Sequence, residues 1–416
     1  MENNPPPIIG VQPPLSPAAS GSSVRQLLAV VLSVFLGLFL TDAFFSLADD
    51  SLIVFLNLHL LSAIRQLVGL FAMLAASAVY VLMAVTPMIP KRLFLPLALF
   101  NLAVLLLGTP FAIYQYDRLP WVAWGFSVCQ VALGLGILYC VQGGLKLRWP
   151  LMPVERLGLR GFSWANLCVF VLANLFGLLP AVLAFFLFFT TVAVDHFSNG
   201  FMAVHPGGLT VQMRKYVRND GKTIELFPMA HVADADFYQE ISQAFPTNAV
   251  ILMEGVSDEH NLLTNAISYK RMAKALGLAE QHESFAPGGD QTVVRADVDI
   301  SIFTTNTLDL LNLVMLIHAR GLNPGLVQKL AFYPEPPQLL DTLLDDLLRK
   351  RNQHLLEQLN EQLLQTGSII VVPWGVAHIP GISKEIQKEG FHLAETHDYT
   401  VIRFHGGGKQ NRTTGP

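Results

Sequence analysis

The stretch 368–382, SIIVVPWGVAHIPGI, decides the fold of the second half of the chain. Its apolar, mostly β-branched run Ile369–Val372 reads as a strand buried on both faces, because a half-solvated strand would alternate with polar residues. The chain then turns through Pro373, Trp374 and Gly375, presents His378, and moves through Pro380–Gly381 into a helix-like segment. Open α/β sheets place their sites beyond the carboxyl ends of the strands, which is where His378 falls. On position alone, a histidine that only caps a turn is the simpler reading. A second stretch of the same grammar shifts the balance: 223–238, TIELFPMAHVADADFY, where a short strand ends in His231 and a helix follows. Two strand–turn–histidine units can converge on one site.

Working outward, the 416 residues are 52% hydrophobic and 14% charged, and the two halves are unlike. Ahead of His196 the nine basic residues are thinly spread among long apolar runs; after it the composition is that of an ordinary globular domain. This is the pattern of a membrane protein carrying a soluble domain. The expected layout is a disordered tail over 1–24, transmembrane helices over 25–196, an α/β domain over 197–406 and a flexible tail over 407–416. A net charge of −4 with no basic cluster argues against nucleic acid as a partner. All three cysteines, Cys129, Cys140 and Cys168, lie in the apolar half, which leaves the other half without a disulfide framework, a cysteine zinc site or a thiol nucleophile.

About five spans are expected, over Leu27–Leu47, Gln66–Thr86, Leu93–Tyr114, Val122–Val141 and Ala165–Val192. Ser51–Arg65 reads as an interfacial stretch or the extension of a tilted helix, and Pro180 should kink the fifth span. The first span lacks a cleavage pattern and is not a removable signal. Basic residues follow spans two (Lys91, Arg92) and four (Lys146, Arg148, Arg156, Arg160), and Arg25 precedes span one; Asp42, Asp49, Asp50, Asp117 and Arg118 lie on the other side. Positive-inside logic then sets the N-terminus in the cytoplasm and the C-terminal domain in a periplasm, as in a bacterial inner membrane. Arg65 fits this orientation least well. The lipid bilayer is the partner implied, as an anchor more than as the setting of a transporter, since no row of intramembrane carboxylates stands out.

In the second half, strands are expected at Leu209–Tyr216 and Thr223–Phe227, joined by a hairpin at Asn219–Asp220–Gly221. Helix Ala233–Phe245, strand Asn248–Glu254, helix Asp258–Leu278, strand Thr292–Ile300 and helix Thr304–Arg320 follow. After a breaker at Pro334–Pro337 come a long helix Leu339–Gln365, the opening strand, a helix near Ser383–Lys388 and a closing hairpin over Phe391–Phe404. Strands alternating with helices predict an α/β domain with a mostly parallel sheet.

Parallel strands bring their carboxyl ends to one edge, so His231, Glu254, Asp297, Asp299 and His378 are expected to gather there. Imidazole with carboxylate is a ligand set for a divalent metal ion such as Zn, Mn, Co or Fe, whose bound water loses a proton near neutral pH. On the long helix, Leu340, Leu344, Leu347, Leu348, Leu355 and Leu359 form one apolar stripe, and Arg351 falls in its middle with Asn352 at its edge. An inward-facing arginine needs a partner: a buried carboxylate such as Glu254, or a substrate carboxylate or oxyanion. The other histidines, His282 among them, are expected at the surface or in the core. HExxH, G-x-S-x-G, P-loop and G-x-G-x-x-G motifs are absent from the sequence.

These motifs together resemble the TraB/GumN and Tiki-type superfamily, related more distantly to erythromycin-esterase-like and ChaN-like proteins. The family pattern is two G-x-x-H turns, a Glu ending the strand after the first, and an Arg–Asn pair on the helix before the second. Here the second turn stands as Gly375–Val376–Ala377–His378, the Glu as Glu254 and the pair as Arg351–Asn352. The first turn departs from it, Pro228–Met229–Ala230–His231, and proline fixes φ and lacks the N–H that glycine would offer. The resemblance covers roughly 221–382 and does not reach the membrane half. It implies a metal-dependent, peptidase-like hydrolase acting on a peptide or related amide or ester, with His231, Glu254 and His378 at the metal and Arg351 and Asn352 as polar support or substrate contacts. A non-catalytic peptide- or haem-binding domain of the same fold is the alternative, and a transporter with an accessory domain a third. Substrate and oligomeric state are left open.

Overall fold

A computed structural model describes residues 17–145, 147–264, 269–288, 291–321, 323–331, 338–365 and 369–404. Residues 1–16 of the expected N-terminal tail, the expected C-terminal tail, the Pro334–Pro337 breaker and Ser368 lie outside the described residues, whereas 17–24, expected in the tail, form the start of a helix. The chain divides into two compact units, at 189/190.

The first unit is helical: α1 Pro17–Leu56, α2 Ser62–Val85, α3 Lys91–Ala98, α4 Phe100–Tyr114, α5 Leu119–Gln142 and α6 Trp164–Ala173, with α7 Leu179–Ser198 running on into the second unit. Among the described residues four helical stretches are long and apolar enough to cross a bilayer, or five when α3 and α4, bent by 48°, are taken as one span. Pro96 lies two residues before the end of α3, where a ring without an N–H interrupts the helical ladder. Pro180 acts similarly: a π-helical turn at Asn174–Leu178 precedes it, and the stretch Trp164–Ser198 continues through as one span-length helix. The break at 57–61 falls inside the expected interfacial stretch, but α1 extends to Leu56. Arg65 now has its reason. It is paired with Asp49 and Asp50 of α1, while Ser127 donates to Asp50 and Ser62 to Asp49.

In the second unit the elements run β1 Met202–His205, β2 Gly208–Val217, β3 Thr223–Met229, β4 Val232–Ala233, α8 Ala235–Ala244, β5 Val250–Met253, α9 Lys270–Leu276, β6 Ala279–Glu280, α10 Gln281–Ser284 and β7 Thr292–Arg295. They continue as α11 Thr305–Arg320, α12 Pro324–Ala331, α13 Leu339–Leu344, α14 Lys350–Leu363, β8 Ile369–Gly375, α15 Ile379–Lys388 and β9 His392–Arg403. The seven-stranded sheet has the order β1-β2-β3-β8-β5-β7, with β9 also on β2. It is mixed: β3, β8, β5 and β7 pair in parallel, and β1, β2 and β9 form an antiparallel wing.

Both faces of the parallel part are covered, as the unbroken apolar run of β8 requires. Ile370, Val372 and Trp374 pack with Leu355 and Leu359 of α14 and Ile382 and Ile386 of α15. Val371 turns the other way, with Phe237 and Ile241 of α8. The period of two along the strand thus serves two cores. The indole N–H of Trp374 donates to the Leu252 carbonyl at 2.9 Å, fixing the end of β8 against β5.

Three expectations are corrected. Among the described residues of the expected helix Asp258–Leu278, 258–264 form a loop and only Lys270–Leu276 is helical; both carboxylate oxygens of Asp258 take backbone N–H groups, of Leu262 and Leu263, that a helix would use internally. Strand β7 stops at Arg295, short of the aspartates. Phe391–Phe404 is no hairpin: β9 is one strand antiparallel to β2, with His397 opposite Met213 and Asp398 opposite Gln212. The long helix runs through a π-helical turn at Asp345–Arg349 between α13 and α14. Buried Asp346 in that turn accepts from the Thr304 and Thr307 hydroxyls and from Lys350, tying the start of α11 to it.

Candidate functional site

The parallel register brings the strand ends level, Met229 beside Gly375 and Met253 beside Arg295. Just beyond these residues stand His231, His378, Glu254 and Asp297. The first two, with Glu254 and Arg351, line a cavity of about 710 Å³ at this edge.

Glu254 is the hub. Its Oε2 accepts the Gly375 N–H at 2.5 Å and its Oε1 accepts Arg351 Nη2 at 2.7 Å. Gly375 eases this approach: a Cβ there would stand 3.3 Å from Oε2, tight enough that the carboxylate would have to give by a few tenths of an ångström. Arg351 grips Asp297 with two parallel bonds, Nε to Oδ1 at 2.9 Å and Nη2 to Oδ2 at 2.7 Å. That is the bidentate fork to which a guanidinium is suited. The Asp297 side chain is fully buried, and Gly255 and Val298 N–H also donate to it. Burial raises the Asp297 pKa, but the Arg351 bonds outweigh it and hold the carboxyl below its usual range.

His378, the residue before α15, is buried edge-on against Trp374, with ring centres 5.1 Å apart. Asn352 holds it twice. The Asn352 amide nitrogen donates to the His378 carbonyl at 3.3 Å, and its carboxamide oxygen lies 2.7 Å from Nδ1. That oxygen can only accept, so Nδ1 carries the proton and Nε2 is left as a lone pair. Nε2 stands 3.6 Å from Glu254 Oε1. Burial, followed by the Arg351 charge, pushes the imidazole pKa down to about 4, which keeps the ring neutral.

His231 is the more open of the pair. Its ring stacks on Tyr269 at 4.7 Å and 6° between planes, and its Nδ1 faces the Gln281 side-chain oxygen at 3.1 Å. The same logic leaves its Nε2 bare. Pro228 does not derail this turn: β3 stays paired to β8 through Pro228–Trp374 and Met229–Gly375, and the Met229 carbonyl accepts from Val376.

The structure thus bonds Glu254, Asp297, Arg351 and Gly375 together, sets the Asn352–His378 pair 3.6 Å from Glu254, and brings His231 to the same cavity through its own partners Tyr269 and Gln281. Asp299 is not among them. It accepts from Ser257, Glu259 and Ser301, and those bonds, Ser301 first, hold its carboxyl well below the usual range. Sequence reading missed Tyr269, Gln281 and His282, which line the cavity from the α9–α10 region, and Asp258 and Asn261 from the loop after β5. None of them sits in a motif; the apolar strand before the loop was the only available pointer.

For a metal, the donors present fit in part. Among the described residues no three His, Cys, Asp or Glu side chains are grouped as a preformed site. Yet the 3.6 Å between His378 Nε2 and Glu254 Oε1 is near the ~3.4 Å that two ligands of one tetrahedral ion present at ~2.1 Å each. Both imidazoles have the outer hydrogen bond at Nδ1 that metal-binding histidines use to fix their tautomer. No protein-family model matches the chain, and no curated protein or solved structure is detectably similar to it.

Proposed function

We propose that the C-terminal unit is a metal-dependent hydrolase, cleaving a peptide or a related amide or ester. The observation that carries this reading is the pair of imidazoles, each held at Nδ1 by a side-chain oxygen, lining one cavity with the Glu254 carboxylate. His231 and His378 would hold the ion through Nε2, with Glu254 as the third ligand or as the base beside it. The ion, when bound, supplies a water acidified toward neutral pH. Arg351 holds and aims Glu254 through a charge-assisted hydrogen bond to Oε1. In the reaction water adds across the carbonyl carbon–nitrogen or carbon–oxygen bond, and an acid and an amine or alcohol leave. Glu254 would take the proton of the water and return it to the leaving group.

One observation favours a second reading, a non-catalytic binding domain: both oxygens of Glu254 are already engaged, by Gly375 and Arg351. Metal content and turnover separate the two. Full-length protein is expected to retain a divalent ion through gel filtration, to lose it in His231→Ala with His378→Ala, and to cleave members of a peptide and ester library, with Glu254→Gln inactive. Protein that holds no ion, or activity unchanged in Glu254→Gln, sinks the enzyme reading.

The apolar helices would set this unit on a bacterial inner membrane, N-terminus in the cytoplasm and C-terminal unit in the periplasm, on the positive-inside argument. A C-terminal reporter active only in the periplasm is the expected result; cytoplasmic activity reverses the topology.

A further inference from the structure

We propose that the cavity seats a linear aliphatic acyl chain, with the amide or ester bond of the same molecule at the sheet edge. For the bond that is cut this rests on the hydrolase reading; the seating of the chain does not. The cavity lining is of two kinds. His231, Glu254, Arg351 and His378 make its polar part, whereas Leu311 and Met315 of α11, Leu347 and Leu348 of the π-helical turn, and Ile300 and Phe303 form an apolar wall. Ile300 is fully buried, and Phe303 and Met315 are each 6% exposed.

An extended peptide laid on that wall would bury N–H and C=O groups against side chains that offer neither donor nor acceptor, at a cost of kilocalories per group. A hydrocarbon chain has no such groups. Asp258, the carboxylate on the cavity's rim, is already spent on the Leu262 and Leu263 N–H groups and does not call for a cationic ligand. Five of the six wall residues are aliphatic or methionine, flexible side chains that close around a mobile chain better than around a rigid ring. The volume of about 710 Å³ exceeds what one side chain fills and lies within the ~300–1,000 Å³ of ligand pockets. The chain's carrier, an acylated peptide or an acyl ester of a lipid, shares this chemistry.

The test uses the full chain in lipid nanodiscs and a decanoate with a terminal photoreactive diazirine. Label is expected on residues 300–315 and on 347–348, located by peptide mass spectrometry. Competition by unlabelled alkanoates, butanoate to decanoate, should tighten about fourfold per added methylene, from ~0.8 kcal/mol each. N-decanoylglycine amide against decanoylglycerol tells the two carriers apart by which competes at the lower concentration. Met315→Glu should abolish the label, and Leu348→Gln should weaken it if the first variant fails to fold. Glu254→Gln should keep it. Label confined to the helices of the first unit, or competition independent of chain length, overturns the proposal. Label in the cavity without cleavage of any amide or ester leaves the chain seat standing and removes the hydrolase reading.

Discussion

Asn352 holds His378 at two points, accepting from its Nδ1 at 2.7 Å and donating to its carbonyl at 3.3 Å. The two residues are 26 apart in sequence, and α14 and α15 bring them together. One carboxamide therefore sets the tautomer of the ring and the start of the helix that carries it. Outer partners of this kind are worth about 10–100-fold in metal affinity or activity. Asn352→Leu should lower both by that order with little change in unfolding midpoint. Asn352→Asp, which still accepts from Nδ1, should recover most of the loss. Equal losses in the two variants would show that the ring needs no acceptor.

Gly381 gives the same contact a second handle. A Cβ at this position would stand 2.7 Å from the Asn352 amide nitrogen, closer than real Cβ contacts come. The obstructed atom is the end of a side chain, so the backbone need not move. Gly381→Ala is expected to fold and to lose activity on the scale of Asn352→Leu. Since both act through one bond, the double variant should be no worse than either single one. Additive losses would mean that Gly381 matters for something else.

The parts of this site that follow strand periodicity were legible in the sequence. An unbroken β-branched run ending in a histidine places His378, and its counterpart places His231, because a buried strand and its exit are local properties. Arg351 announced itself as a charge in an apolar stripe, and Glu254 as its partner. What periodicity does not encode is the loop. Asp258 captures the N–H groups of Leu262 and Leu263 and unmakes an expected helix, and the loop so formed lines the cavity. Asp297 and Asp299 looked equivalent, two residues apart on one expected strand. The strand ends earlier, and a turn sends one to Arg351 and the other to Ser257 and Ser301. The closing strand β9 was misread because its turn-like His397–Asp398 pair is an ordinary exposed step on β2.

His378 makes stability depend on pH. Its pKa is about 4 in the folded chain against 6.5 ordinarily, so below pH 6.5 the unfolded state binds a proton that the folded state refuses. The stabilisation is complete above pH 6.5 and is lost as pH falls toward 4, on the order of 3 kcal/mol in all at ~1.4 kcal/mol per unit. Chelator-treated protein should show a falling unfolding midpoint across that window, and His378→Gln should flatten the profile. A midpoint unchanged between pH 6.5 and 4 would mean the ring titrates normally.

Arg351 lies between two acids, one of them Asp297, whose side chain is entirely enclosed. Arg351→Met keeps the apolar stem and removes the charge, leaving Asp297 and Glu254 with only backbone donors. Breaking a buried pair from one side costs about 3–5 kcal/mol, because the orphaned charge has no water to turn to. The variant should unfold at markedly lower denaturant, measured on the full chain. Arg351→Lys should fall between, since an ammonium cannot reproduce the fork on Asp297. Adding Asp297→Asn to Arg351→Met should restore part of the loss by removing the stranded charge, although Asn accepts through one oxygen where Asp297 accepts N–H groups through two. If Asp297→Asn instead deepens the loss, the backbone contacts at Gly255 and Val298, and not the Arg351 pair, are what hold this edge of the site together.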